Sequence, residues 1–125
     1  MTDRRHQLGS DGEEAALEVL ARAGYRVLER NYRCRVGEID VVAEQGETLC
    51  FVEVRTRKIG ALVDGRTSID WRKRRKIAAA ARSYCQRRRV GERPMRFDVV
   101  DVRALSDGAF DAEIVCNAFD AEGGL

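Results

Sequence analysis

Three carboxylates sit in segments with the patterning of strands: Glu38 and Asp40 in G-E-I-D-V-V-A (37–43), and Glu53 in F-V-E-V-R-T-R (51–57). Residues i and i+2 of a strand share a face, so Glu38 points with Asp40 and Glu53 with Arg55, while Val52 and Val54 face the other way. A hairpin pairing these segments brings acids and a cation together from adjacent strands. Burying a carboxylate without a partner costs on the order of several kcal/mol. Such acids therefore need a positive charge, from a side chain or a metal ion. In one arrangement Glu53 pairs with Arg55 or Arg57 on a half-exposed face. In the other, the carboxylates form an all-oxygen site suited to Mg²⁺ or Mn²⁺, able to activate water and stabilise charge on a phosphodiester.

Helical spacing adds two residues. Glu13, Leu17, Leu20 and Gly24 fall along one side of a first helix, together with Ala16, so Glu13 continues a sheet-facing stripe. Ser10 and Glu13 also match an S-x-x-E capping box, which predicts a helix starting at Ser10 and stopping at Gly24. In a second helix, predicted from about Ser68 to Arg88, Lys73 lies on the apolar stripe of Ile77, Ala80 and Tyr84. Lys73 thus points toward the sheet, to snorkel or to reach a carboxylate or phosphate, and Arg72, Arg74, Arg75 and Lys76 point mostly outward.

Strands are predicted over Tyr25–Arg33, Glu38–Ala43, Thr48–Thr56 and Arg96–Val102, with an edge strand near Ala112–Asn117. The second and third form a hairpin through the turn at Gln45-Gly46-Glu47, and the third, apolar on both faces around Cys50–Val52, is central. Gly60–Gly65 reads as loop. The order α-β-β-β-α-β-β predicts a mixed central sheet flanked by helices. The 125 residues fit one domain, with a core from about 8 to 117.

Composition narrows the chemistry. Hydrophobic residues make up 44% and charged residues 35%, and no apolar run is long enough to span a bilayer. The first residues lack the apolar stretch of a signal peptide, so the expectation is a soluble cytoplasmic protein. Cys34, Cys50, Cys85 and Cys116 are too far apart for a zinc knuckle or redox motif, and reduced thiols are expected. His6 is the only histidine, which excludes a triad built on an internal imidazole. The net charge of +2 conceals segregation: residues 68–93 carry 10 Lys or Arg against 2 acids, whereas residues 94–125 carry 2 against 7. A block this basic suits a polyanion such as nucleic acid, or a solvated helix face.

The segments L-G-S-D-G-E-E-A-A (8–16), G-Y-R-V-L-E-R-N-Y-R (24–33), G-E-I-D-V-V-A, F-V-E-V-R-T-R, W-R-K-R-R-K-I (71–77) and R-F-D-V-V-D-V (96–102) occur in this order. Across roughly residues 8–102 the chain resembles the bacterial YraN-type proteins, an uncharacterised family with the restriction-endonuclease-like fold. The resemblance implies a nuclease core like that of archaeal Holliday-junction resolvases, acting on nucleic acid, DNA above all, with Mg²⁺ or Mn²⁺. Asp40 would match the strand aspartate, Glu53 the strand glutamate, and Glu13 the acid of the first helix, with Asp40, Glu53 and Glu13 as metal ligands. Glu38 and Lys73 fall on positions the family pattern also contains. Arg55 stands where that pattern usually has lysine; a guanidinium binds phosphate but cannot act as a base. Lys73, Arg72, Arg74, Arg75 and Lys76 would contact nucleic acid. Nucleases of this fold that cut branched DNA often act as dimers, so the resemblance also admits a homodimer. The alternative function is an accessory protein that binds nucleic acid without hydrolysing it.

Overall fold

A computed structural model describes residues 4–58 and 69–120, with the side chains of the first helix described from Ser10 onward. The loop expected over Gly60–Gly65, the residue Ser68 and the side chain of His6 lie outside the described residues. The elements follow the order α1 (Arg4–Arg22), β1 (Arg26–Cys34), β2 (Gly37–Gln45), β3 (Thr48–Lys58), α2 (Trp71–Arg87), β4 (Met95–Ala104) and β5 (Phe110–Phe119). Among the described residues no helix is long and apolar enough to cross a membrane.

The strands form one sheet in the order β1-β2-β3-β4-β5. Neighbours are antiparallel except β3 and β4, which run parallel and are joined by the crossover that contains α2. β3 is central, as its two-sided apolar character predicts, and Leu49 through Glu53 are all buried. One face carries Ile39, Val42, Leu49, Phe51, Phe97 and Val99 against Ile77, Ala80 and Tyr84 of α2. The opposite face carries Val41, Ala43, Cys50, Val52, Val100 and Val102 against Ala16 and Leu20 of α1. On the α2 side a run of rings crosses the sheet, with centroids 5.3 Å apart for Tyr32–Tyr84, 5.9 Å for Tyr84–Phe51, 5.6 Å for Phe51–Phe97 and 4.8 Å for Phe97–Phe119. All four cysteines are free.

Both helix starts differ from the sequence expectation. Ser10 lies inside α1, which begins at Arg4, so the S-x-x-E pattern is not a capping box. The preceding Arg, Gln and Leu are good helix formers, and an exposed serine is tolerated within a helix at small cost. The stop at Gly24 holds: Gly24 has φ of 89°, its N–H donates to Ala21 O, and Tyr25 N–H donates to Leu20 O, the two bonds of a Schellman motif. α2 starts at Trp71 and not near Ser68, because the Asp70 carboxylate accepts from Lys73 N–H at 2.9 Å and caps it.

Two close approaches set the helices on the sheet. A Cβ on Gly12 would lie 2.2 Å from Thr56 Oγ1 and 3.0 Å from Thr56 Cβ, which presses α1 onto the end of β3. A Cβ on Gly37 would meet the Lys76 carbonyl oxygen at 2.7 Å, fixing α2 against the start of β2. The Gly12→Ala substitution gains helix propensity but overpacks this contact, for a net destabilisation of about 1–3 kcal/mol. Thermal unfolding should show the loss, and adding Thr56→Ala, which removes Oγ1 and Cγ2, should recover most of it.

Candidate functional site

The β2–β3 ladder runs from Gln45↔Thr48 to Val41↔Val52, and the next residues along are Asp40 and Glu53. There Asp40 Oδ2 accepts from Val54 N–H at 2.8 Å, so a side-chain oxygen meets the backbone donor. Glu53 lies on the α2 face, continuing Leu49 and Phe51, and is only 4% exposed. Lys73 reaches it from the first turn of α2, with Nζ 2.7 Å from Glu53 Oε1, and Arg55 Nη1 lies 3.9 Å from the same oxygen. The cluster therefore holds two acids and two cations, three of them from adjacent strands and one from a helix. Burial, then the charge of Asp40, push the Glu53 carboxyl up to about 7, with Lys73 opposing the rise.

Of the two pairings open to Glu53 through strand arginines, Arg55 stays nearby while Arg57 turns to Asp101, with Nε and Nη2 each 3.2 Å from a carboxylate oxygen. Glu13 does not join the acid pair. It lies 3.7 Å from Arg30 on β1, and Arg30 also bonds Glu14 at 3.2 Å. Among the described residues no group of three or more acids, cysteines or histidines is placed to share a metal ion. The expected three-acid set thus reduces to Asp40 and Glu53. Glu38 is exposed and pairs with Arg33 at 3.3 Å.

The basic residues of α2 divide by role. Arg72, Arg75 and Lys76 are exposed, and the Arg75 guanidinium stacks on Trp71 at 4.8 Å. Arg74 is instead half-buried and donates to Ile69 O at 2.8 Å, holding the chain that leads into the helix. A groove of about 390 Å³ meets the cluster only through Lys73 and is lined by Gly37, Glu38, Asp70, Arg72, Lys73, Lys76 and Ile77. A larger one of about 630 Å³, floored by Phe51, Phe97 and Phe119 on the other flank of α2, contains neither Asp40 nor Glu53.

Two buried acids escaped the sequence reading. Asp98 is fully buried on the α1 side and accepts from Tyr25 OH at 2.7 Å, Arg96 Nε at 3.0 Å and Asn117 N–H at 2.9 Å. Arg96 also donates to Gln45 Oε1 at 2.6 Å, so the acid is enclosed by donors that are themselves satisfied. Asp101 is buried on the α2 side with Arg57. The signal was present in R-F-D-V-V-D-V: the two aspartates, three apart, must face opposite sides of a strand, and Arg96 shares a face with Asp98. Both acids are satisfied by protein groups and serve the sheet.

Asp40 and Glu53 suit a hard divalent ion, since Mg²⁺ is commonly held by one or two carboxylates together with water and substrate phosphate oxygens. Their mutual repulsion, visible in the raised Glu53 pKa, is what such an ion relieves.

Because the folded state holds the Glu53 proton up to about pH 7 while the unfolded chain releases it near the ordinary 4.5, stability falls as pH rises between these values and stays lower above them. Glu53→Gln removes that penalty. In EDTA it should raise stability by about 1–3 kcal/mol at pH 8 and leave it unchanged near pH 4, as read from denaturant melts across pH. Lys73→Met should act in the opposite direction at pH 8 and move the transition to higher pH.

The sequence pattern of the uncharacterised protein family UPF0102 matches residues 12–102. A UPF0102 protein of Moorella thermoacetica is 49% identical over 102 residues, covering 82% of this chain and 85% of its own. One from Myxococcus xanthus is 43% identical over 116 residues, covering 86% and 92%, and one from Desulfosudis oleivorans is 41% identical over 121, covering 97% and 96%. The match to the family runs through α1, the paired strands that carry Asp40 and Glu53, α2 and most of β4. The chain belongs to the uncharacterised protein family UPF0102.

Proposed function

We propose that this protein is a divalent-metal-dependent phosphodiesterase acting on nucleic acid, DNA being the expected substrate, with Asp40 and Glu53 at its centre. The observation that carries this reading is the pair of carboxylates at the end of the β2–β3 ladder, with Lys73 from a cation-rich helix seated on one of them. Asp40 and Glu53 would hold Mg²⁺ or Mn²⁺, which when bound activates water and neutralises charge developing on phosphate. Asp40 is oriented by Val54 N–H, so one ligand position is fixed before any ion arrives. Lys73 balances Glu53 without the ion, and its side chain, 43% exposed, is free to turn its ammonium to a substrate phosphate once Glu53 has another cation. Arg55 supplies positive charge beside the scissile group but takes no proton. Arg72 and Lys76 extend the phosphate-binding surface away from the acids.

A second reading, nucleic-acid binding without hydrolysis, is favoured by Arg55 in the place where the resembled nuclease pattern has lysine.

Purified protein assayed with Mg²⁺ or Mn²⁺ on single-stranded, duplex, flap and four-way-junction substrates decides between them. Hydrolysis should occur on at least one substrate and be abolished by Asp40→Asn, with binding in EDTA retained or tightened as a negative charge is lost. Cleavage surviving both EDTA and Asp40→Asn would move the active site elsewhere. Salt-dependent binding with no cleavage of any substrate would leave the binding reading.

Arg55 has its own test. Arg55→Lys should retain or raise turnover, and Arg55→Ala should add about 2–4 kcal/mol to the barrier, as expected for loss of one preorganised donor. Equal melting temperature, binding and turnover in Arg55→Ala would remove this residue from the site.

A further inference from the structure

On the strands, arginines are committed to acids: Arg26, Arg30, Arg33, Arg57, Arg96 and Arg103 each lie within ion-pair distance of a carboxylate. Along one side of α2 and the facing β1–β2 turn the pattern reverses. Arg35, Arg72, Lys76, Arg82 and Arg87 are all exposed, and none pairs with a carboxylate among the described residues. These five side chains line two neighbouring grooves. One is the groove of about 390 Å³ beside Gly37 and Lys73; the other, of about 360 Å³, lies between Cys34–Val36 and the Ala79–Arg87 stretch of α2. They follow one another along the same side of α2, the first reaching Lys76 and Ile77 and the second starting at Ala79. The acids at the first groove are already engaged, Glu38 by Arg33 and Asp70 by Lys73 N–H.

We propose that these grooves form one trough that binds an extended single strand of nucleic acid and leads it to the acid pair. The assignment of Lys73 as its active-site end rests on the hydrolytic reading above. From Lys73 to Arg87 the helix rises about 21 Å, room for about four nucleotides of an extended strand. Two features select a single strand over a duplex. Each groove lies between α2 and the chain around the β1–β2 turn, so the cations follow one side of one helix, a track for one backbone. Large apolar groups also stand exposed: Val36, 50% exposed, lines the second groove, and Trp71, 52% exposed and carrying Arg75 on its ring, precedes the groove-lining Arg72 in the chain. Stacking on Trp71 and Arg75 rewards bases whose faces are free, which a duplex conceals.

The test measures anisotropy of labelled oligothymidylates of increasing length, and of a blunt duplex, with the full chain in EDTA. Affinity should climb to about four or five nucleotides and then level off, and exceed that for a duplex of equal length about tenfold. Charge reversal of Arg82 and Arg87 to Glu should bring long oligomers down to the affinity of short ones and reduce the salt slope by about 1.4. Trp71→Ala should weaken oligothymidylate about tenfold and leave inorganic polyphosphate unchanged. Circular dichroism confirms folding of the variants, and the length series needs only the wild type. Duplex binding as tight as single-strand binding, no dependence on length, or polyphosphate or an acidic peptide competing as well as oligothymidylate would each overturn the trough. Because EDTA silences hydrolysis, these outcomes are separate from the Asp40→Asn result: the strand can bind without being cut, and cleavage can occur without this preference.

Discussion

Placing Glu53 in the interior beside the half-buried Asp40 makes its ionisation costly, and the neighbouring structure is arranged around that cost. The carboxylate lies in the central strand of the sheet, preceded by buried Phe51 and Val52 on β3. One compensation is local, the Val54 N–H bound to Asp40. The other is distant in sequence: Lys73 arrives with the crossover helix that joins the two parallel strands. The same helix that buries the acid therefore brings its counter-charge. Lys73 at contact distance and Arg55 farther off still leave the Glu53 pKa raised, and a fold selected for stability alone would favour an uncharged side chain at this position.

The contrast with the two other buried acids sharpens the point. Asp98 and Asp101 are each matched by an arginine, and Asp98 also by a tyrosine hydroxyl and a backbone N–H. Burial, with hydrogen bonds to Cys116 and Asp98, drives the Tyr25 hydroxyl well above its ordinary range, so it stays protonated and remains a donor to Asp98. These acids look inward to complete partners. Glu53 instead lies beside a second carboxylate that pushes its pKa up, and its Lys73 partner lines a groove, which is the arrangement of a group kept for an exchangeable partner.

Much of this was legible in the sequence because it depends on period. Alternation placed Glu53 and Arg55 on one strand face, and the interval from Lys73 to Ile77, Ala80 and Tyr84 aimed the lysine at the sheet; the structure joins both expectations in one ion cluster. What failed depended on context that period does not encode. A capping motif describes four residues and is silent on whether the preceding turn is also helical, so the pattern at Ser10 does not reveal the start at Arg4. Arg74 differs from its exposed neighbours only because its guanidinium finds the Ile69 carbonyl, a contact created by the path into α2. Glu13 lies half-exposed beside the buried stripe of Gly12, Ala16 and Leu20, on the side of the sheet opposite Lys73, and Arg30 on the neighbouring strand holds it.

Trp71 is the sole tryptophan, and it sits half-exposed at the start of α2 with Arg75 on its ring. The aromatic groups of the interior are tyrosines and phenylalanines in a chain of edge and stacked contacts. Intrinsic indole emission will therefore already be that of a solvated ring in the native protein and will change little when the core melts. Near-ultraviolet dichroism of the buried tyrosines will follow the collapse of tertiary packing instead. The optical spectrum is thus divided by location: indole light reports what touches the outer surface of α2, and phenol dichroism reports whether the sheet beneath it is intact.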